Sequence, residues 1–147
     1  MENTKHKIKI LLIDDDEMMR IYFRDIFWIH GRSDTYEVII TSTLSEAEKF
    51  IKEKETRPDI IFLDVMMPVK GEDNSTDEQI KRSLSFVEKV KKDKESSSIK
   101  IIIYSGQKEK SIEVAFRVLK VDGYLIKGEL MPKEIIAFTD KIHESNN

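Results

Sequence analysis

The sequence predicts an α/β fold in which five parallel strands alternate with five helices. Short apolar runs recur along the chain, and each has the length of a strand that is buried on both faces. The segments between these runs carry apolar residues at helical spacing. Strands and helices in such alternation form a parallel sheet with right-handed crossovers and with helices on both faces.

Length and composition narrow the class of protein further. The chain has 147 residues, so we expect a single domain over residues 1–147 with a core from about 7 to 143. The 25 basic and 28 acidic residues supply no positive field for direct binding of nucleic acid. Cysteine is absent, which excludes disulfides and thiol catalysis. The start of the chain is polar and no apolar stretch reaches about 18 residues, so we expect a cytoplasmic protein without a membrane segment.

The first two strands are predicted at residues 7–13 and 37–41. The first strand ends in four consecutive carboxylates at residues 14–17, which repel one another unless water or a cation neutralises them. A helix is predicted over residues 18–29, because apolar residues recur there at helical spacing. Its predicted core residues are Met19, Tyr22, Phe23 and Ile26.

The middle of the chain contains the third strand and an unusual acidic stretch. A helix is expected from about residue 44 to 55, and the strand at 60–63 then leads directly into Asp64. Residues 69–82 are mostly acidic or polar, and we interpret them as an inserted, exposed loop whose second half is a candidate for helix. The next predicted helix covers residues 83–93.

The remaining strands also end in residues that can do chemistry. The fourth strand, residues 99–104, is followed by Ser105, and a helix is expected over residues 108–120. The fifth strand, residues 124–126, is followed by Lys127. Pro132 suits the first turn of the last helix.

Five polar side chains therefore follow the carboxyl ends of four strands: Asp14, Asp15, Asp64, Ser105 and Lys127. In a flavodoxin-like doubly wound sheet with the strand order 2-1-3-4-5, they converge on the crevice where such folds bind ligands. Clustered carboxylates suit Mg²⁺, and an ammonium with a hydroxyl suits the oxygens of a phosphoryl group. A carboxylate can also act as a covalent nucleophile.

This arrangement resembles the receiver domain of two-component response regulators, the family that includes the chemotaxis Y protein. The motifs that carry the resemblance are residues 12–15 (Leu-Ile-Asp-Asp), 63–68 (Leu-Asp-Val-Met-Met-Pro), 104–106 (Tyr-Ser-Gly) and 123–127 (Gly-Tyr-Leu-Ile-Lys). Each motif is weak alone, but their order and their positions at strand ends make the resemblance specific. It extends from about residue 7 to 143.

The resemblance implies a role for each matching residue. Asp64 matches the phosphoacceptor, Asp14 and Asp15 match the acidic pair that holds Mg²⁺, and Met66 matches the position whose backbone carbonyl completes the metal site. Lys127 matches the lysine that pairs with the aspartyl phosphate.

The resemblance also implies a conformational switch and a docking surface. Ser105 matches the hydroxyl that turns toward the phosphoryl group, and Tyr124 matches the aromatic residue that moves with it. The donor would be a histidine kinase or a histidine phosphotransfer protein, which meets the first helix near Met18, Ile21 and Tyr22. The last predicted helix ends close to residue 147, so we expect a stand-alone receiver, monomeric or weakly dimeric, whose output passes to a partner protein in a relay.

Two departures from the family pattern stand out. Gly128 follows Lys127 where the family usually has proline, so the bend at that point must be made differently. The stretch at 69–82 makes the link to the third helix longer than the family norm.

Two alternatives to a phosphoaccepting receiver remain. One is a receiver-fold module that binds proteins and is never phosphorylated; the complete set of matching residues argues against it. The other is a Mg²⁺-dependent phosphohydrolase, but related hydrolases place a second aspartate two positions after the nucleophile, where this chain has Met66. We therefore expect no enzymatic turnover beyond the protein's own phosphorylation and dephosphorylation.

Overall fold

A computed structural model describes residues 6–144. Five parallel strands form one sheet in the order β2-β1-β3-β4-β5, which confirms the predicted flavodoxin-like topology. The strands are β1 (Ile8–Ile13), β2 (Tyr36–Thr41), β3 (Ile60–Leu63), β4 (Lys100–Ser105) and β5 (Gly123–Ile126). The helices are α1 (Glu17–Ile29), α2 (Leu44–Lys52), α3 (Thr76–Lys92), α4 (Lys110–Val118) and α5 (Pro132–Glu144). The ends of the domain predicted over 1–147, residues 1–5 and 145–147, lie outside the described residues.

The register of the sheet brings the strand ends to a common edge. Ile13 at the end of β1 pairs with Thr41 on one side and Leu63 on the other. Ser105 at the end of β4 pairs with Ile126 at the end of β5. Polar residues that follow these positions therefore share one edge of the sheet, as the sequence predicted.

The core consists of two layers, one on each face of the sheet. Successive residues of β1 alternate between them, so that Leu11 and Ile13 pack in one layer and Ile10 and Leu12 in the other. All four side chains are fully buried. A continuous apolar run is needed in β1 because both of its faces are covered. None of the helices within residues 6–144 is long and apolar enough to cross a membrane.

The predicted core face of α1 was partly wrong. Phe23 and Ile26 are buried as expected, but Tyr22 is 42% exposed and Phe27, which was not predicted to be in the core, is 1% exposed. The buried face is centred on positions 23, 26 and 27. Compared with the predicted stripe, it is rotated toward Phe27 and away from Tyr22. Aromatic contacts hold this face, since the ring of Phe27 lies 5.3 Å from the rings of both Phe23 and Tyr36.

The exposed loop predicted over 69–82 is shorter than those bounds, because α3 begins at Thr76. The second half of the stretch, which was a candidate for helix, is helical. Ser75 caps the helix by accepting a hydrogen bond from the Glu78 amide at 3.3 Å. Asp77 and Glu78 lie in the first turn, where acidic side chains stabilise the positive end of the helix. The polar composition thus reflects an exposed helix start, and the loop itself ends at residue 75.

Candidate functional site

Three carboxylates meet at the carboxyl edge of the sheet. Asp14 and Asp15 directly follow β1, and Asp64 directly follows the neighbouring strand β3. One carboxylate oxygen from each of the three lies within 4.8 Å of the others. Asp14 is fully buried and Asp64 is 7% exposed, whereas Asp15 faces solvent.

Lys127 brings a positive charge into this cluster. Its Nζ donates to Asp14 Oδ2 at 2.6 Å and to Asp64 Oδ2 at 3.0 Å. The ammonium lies 5.9 Å from the centre of the Tyr104 ring, which covers it on one side. Lys127 comes from the end of β5 and thus reaches across the crevice to the ends of β1 and β3.

Burial and charge change the acidity of both partners. Burial raises the pKa of the Asp64 carboxyl to about 6, against the lowering effect of Lys127, and Asp14 adds to the rise. Burial disfavours the charged form of Lys127, but the Asp64 and Asp14 carboxylates outweigh it and raise the pKa of the ammonium. At neutral pH the site therefore holds an ionised Asp64 at an energetic cost and a firmly protonated Lys127.

Backbone groups orient the two buried carboxylates. Asp64 Oδ1 accepts a hydrogen bond from the Met66 amide at 3.2 Å, and Asp14 Oδ1 accepts one from the Asp16 amide at 2.9 Å. Arg20 donates from Nη1 to the Asp14 carbonyl at 3.0 Å. Sequence reasoning missed Arg20, because its reach back to the end of β1 is a property of the packed α1 and leaves no local pattern.

Ser105 and Tyr124 are linked through the backbone of Gln107. The hydroxyl of Ser105 accepts a hydrogen bond from the Gln107 amide at 3.1 Å, and the Tyr124 hydroxyl donates to the Gln107 carbonyl at 2.8 Å. Ser105 is fully buried and Tyr124 is 9% exposed, with its ring 6.5 Å from that of Phe116. The backbone of Gln107 therefore joins the two predicted switch residues. Sequence reasoning did not predict this link, because it depends on where Tyr124 lies in the folded chain.

The bend after Lys127 is made by Gly128. The Glu129 amide donates to the Ile126 carbonyl at 3.2 Å, which closes a four-residue turn. Gly128 occupies the third position of this turn with φ +85°, a conformation that favours glycine. Glycine thus makes the turn where the family usually has proline.

The predicted docking residues lie on the exposed side of α1. Met18 is 75% exposed, Ile21 48% and Tyr22 42%. They extend over the first turns of the helix that begins just after Asp14 and Asp15. The three residues therefore form an apolar surface beside the acidic cluster.

The donor set fits a hard divalent cation. Asp14, Asp15 and Asp64 offer carboxylate oxygens, the ligands that Mg²⁺ prefers. Three carboxylates against one ammonium leave excess negative charge, which a divalent cation would neutralise. Met66 is half-buried beside them and holds Asp64 through its amide.

Comparison with known proteins establishes the family. The sequence from residue 10 to 139 matches the response regulator receiver domain, and this match covers most of the chain. The protein therefore belongs to the receiver domains of two-component signal transduction. Membership implies an acidic Mg²⁺ pocket and an interaction with a histidine kinase or phosphotransfer partner. No curated protein matches the sequence.

Solved structures of response regulators share the fold. A CheY-like receiver domain protein from Methanospirillum hungatei is 22% identical, with a TM-score of 0.70 over 96% of this chain and 98% of that one. The chemotaxis response regulator CheY4 of Vibrio cholerae is 20% identical, with a TM-score of 0.70 over 93% and 99%. The phosphorylated cyanobacterial phytochrome response regulator RcpA is 19% identical, with a TM-score of 0.70 over 95% and 93%.

Proposed function

We propose that this receiver domain accepts a phosphoryl group on Asp64 from the phosphohistidine of a histidine kinase or a histidine phosphotransfer protein. One observation carries the proposal. The Lys127 ammonium bridges Asp14 and Asp64, at 2.6 and 3.0 Å, inside a cluster of three carboxylates. A nucleophile, a cation pocket and a fixed positive charge thus occupy one crevice, which is what phosphoryl transfer needs.

In the transfer step, a carboxylate oxygen of Asp64 bonds to phosphorus while the phosphorus–nitrogen bond of the donor breaks. The electron pair of that bond returns to the donor's imidazole. Asp64 is mostly ionised at neutral pH, because its pKa of about 6 lies below it. Mg²⁺, held by Asp14, Asp15, Asp64 and the Met66 carbonyl, would neutralise charge on the phosphoryl oxygens. Lys127 would pair with the same oxygens.

Phosphorylation then changes the conformation of Ser105 and Tyr124. A phosphoryl group on Asp64 adds acceptor oxygens that attract the Ser105 hydroxyl. If Ser105 turns toward them, it releases the Gln107 amide, and the carbonyl of Gln107 holds the Tyr124 hydroxyl. The new charge is thereby coupled to the ring of Tyr124.

Two protein partners are part of the proposal. The donor docks on the exposed residues Met18, Ile21 and Tyr22 of α1. A downstream protein reads the altered surface near Tyr124. The receiver acts as a monomer or a weak dimer and catalyses only its own phosphorylation and dephosphorylation.

Intact mass after incubation with acetyl phosphate and Mg²⁺ tests the acceptor. We expect the wild type and Asp77→Asn, an exposed control on α3, to gain the mass of one phosphoryl group, and Asp64→Asn to gain none. The gain should disappear when EDTA removes Mg²⁺. A wild type that stays unmodified by both acetyl phosphate and a phosphohistidine donor would support the non-phosphorylated binding module instead.

A further inference from the structure

The backbone that follows Asp64 accepts hydrogen bonds from polar side chains of α3 and of the loop before α3. Along residues 65–69, every second carbonyl accepts a side-chain hydrogen bond. The three bonds run from Ser83 Oγ to the Val65 carbonyl at 2.7 Å, from Arg82 Nη2 to the Met67 carbonyl at 3.5 Å, and from Asn74 Nδ2 to the Val69 carbonyl at 3.0 Å. We call Asn74, Arg82 and Ser83 the clamp.

The clamp residues are tied to one another and to the loop. Arg82 donates from Nη2 to Asn74 Oδ1 at 2.6 Å and from Nη1 to the Asp73 carbonyl at 2.8 Å. Asn74 Oδ1 also accepts from the Val69 amide at 2.8 Å, so that Asn74 pairs with both backbone groups of Val69. Gln79 donates from Nε2 to the Asn74 carbonyl at 2.7 Å. The loop and the first turns of α3 therefore form one hydrogen-bonded unit.

The part of this unit nearest Asp64 is shielded from water, whereas Asn74 and its bonds to Val69 are exposed. Ser83 and Val65 are fully buried, Met67 is 1% exposed, and the Arg82 side chain is 19% exposed. Removing one partner of a buried hydrogen bond costs free energy, because water cannot reach the polar group that is left unpaired. The clamp can thus fix the direction of the backbone.

That direction bears on Met66. The carbonyl of one residue and the amide of the next share a planar trans peptide unit, so they point in opposite directions. The carbonyls of Val65 and Met67 point toward the clamp, and the Met66 amide points the other way, to Asp64 Oδ1 at 3.2 Å. The Met66 carbonyl lies between the two clamped carbonyls, so the clamp and the contact with Asp64 together restrict the direction in which it can point.

We infer that Arg82, together with Asn74 and Ser83, is a positioning residue that holds the Met66 carbonyl toward the cation pocket. The inference rests on the proposed function, since it assumes that Mg²⁺ binds among Asp14, Asp15 and Asp64. Arg82 does not contact the ion. It acts through the backbone of the segment 65–69, as outer groups do that orient the ligands of a metal.

Calorimetric titration with Mg²⁺, without a phosphodonor, tests the inference. We expect Arg82→Met and Asn74→Ala to bind Mg²⁺ about tenfold more weakly than wild type, the lower end of the range for such outer groups. Lys81→Met is the matched control. It removes the same charge from the neighbouring position of α3, where the side chain is 72% exposed and pairs only with Glu78 within residues 6–144, at 3.5 Å. This control should stay within about twofold of wild type, and loss of a positive charge alone would strengthen cation binding.

A second measurement separates positioning of the metal site from a role in transfer. With acetyl phosphate and Mg²⁺ raised far above each variant's own dissociation constant, the phosphorylation rate of Arg82→Met should return to within about twofold of wild type. A rate that stays low at saturating Mg²⁺ would overturn the inference, because it would place Arg82 in the transfer step.

The remaining outcomes also decide between the two proposals. If wild type, Arg82→Met and Asn74→Ala bind Mg²⁺ equally, the clamp does not position the site, and the proposed function stands. If the wild type itself binds no Mg²⁺, the proposed function fails. Should Arg82→Met not fold, Asn74→Ala decides alone, because Asn74 lies in an exposed loop.

Discussion

Replacing Asp64 with asparagine should stabilise the metal-free protein at neutral pH. The carboxyl is 7% exposed, and burial together with Asp14 raises its pKa to about 6 despite the ammonium of Lys127. A rise of that size corresponds to about 3 kcal/mol that ionised Asp64 costs the folded protein at pH 7.5. Asparagine has nearly the same shape, keeps an oxygen for the Met66 amide and carries no charge.

The sign of the effect with pH follows from the direction of the shift. The pKa of Asp64 is higher in the folded than in the unfolded chain, so the folded protein holds this proton more tightly. Stability is lost as pH rises from about 4 through 6, and the full cost is present above the folded pKa. The advantage of Asp64→Asn should therefore shrink to about a third at pH 4.5.

Urea unfolding in EDTA, at pH 7.5 and at pH 4.5, measures this difference. Asp15→Asn is the control, because Asp15 belongs to the same cluster but faces solvent. Its free energy of unfolding should change by less than about 0.5 kcal/mol. A destabilised Asp64→Asn at pH 7.5, or an advantage that is equal at both pH values, would refute the reasoning.

Two further predictions concern glycine packing and the counter-ion. Gly123→Ala should lower the free energy of unfolding by about 1 to 3 kcal/mol, because its Cβ would lie 2.5 Å from Phe138 Cζ. Gly106→Ala is the control in the same urea titration and should be nearly neutral, since no atom lies within 4 Å of its Cβ. Lys127→Met should cost about 3 kcal/mol in EDTA, because two buried carboxylates lose their cation. Saturating Mg²⁺ should reduce that deficit, and an equal loss with and without Mg²⁺ would contradict it.

Much of the site could be predicted because it depends on strand ends. Asp14, Asp64, Ser105 and Lys127 each follow an apolar run, and a parallel sheet brings such positions to one edge. The prediction needed only the alternation of strands and helices. It did not need the exact bounds of the helices. Those bounds were partly wrong, since α2 and α4 end at Lys52 and Val118 and not at the predicted residues 55 and 120.

Other features could not be read from local pattern. The start of α3 was predicted at residue 83 with only a candidate helix before it, because the side chains of 76–82 are mostly polar, yet Ser75 caps a helix whose first turns are largely exposed. In α1, apolar residues occur on nearly every side, so periodicity could not separate buried Phe27 from exposed Tyr22. Arg20 and Arg82 act through side-chain hydrogen bonds to backbone carbonyls, and such bonds exist only after the chain has folded.

Asp64→Asn and Lys127→Met both test the electrostatic energy of the buried cluster, the first by removing a negative charge and the second by removing the positive charge. Without a metal, one ammonium must serve both Asp14 and Asp64, which lie on neighbouring strands and cannot move apart. Removing one negative charge should therefore raise the free energy of unfolding, and removing the ammonium of Lys127 should lower it. Mg²⁺ would take over the neutralisation and leave Lys127 free to pair with a phosphoryl oxygen. If Asp64→Asn stabilised the protein while Mg²⁺ failed to rescue Lys127→Met, the cluster would be strained without being a cation site, and the proposed transfer would lose its main support.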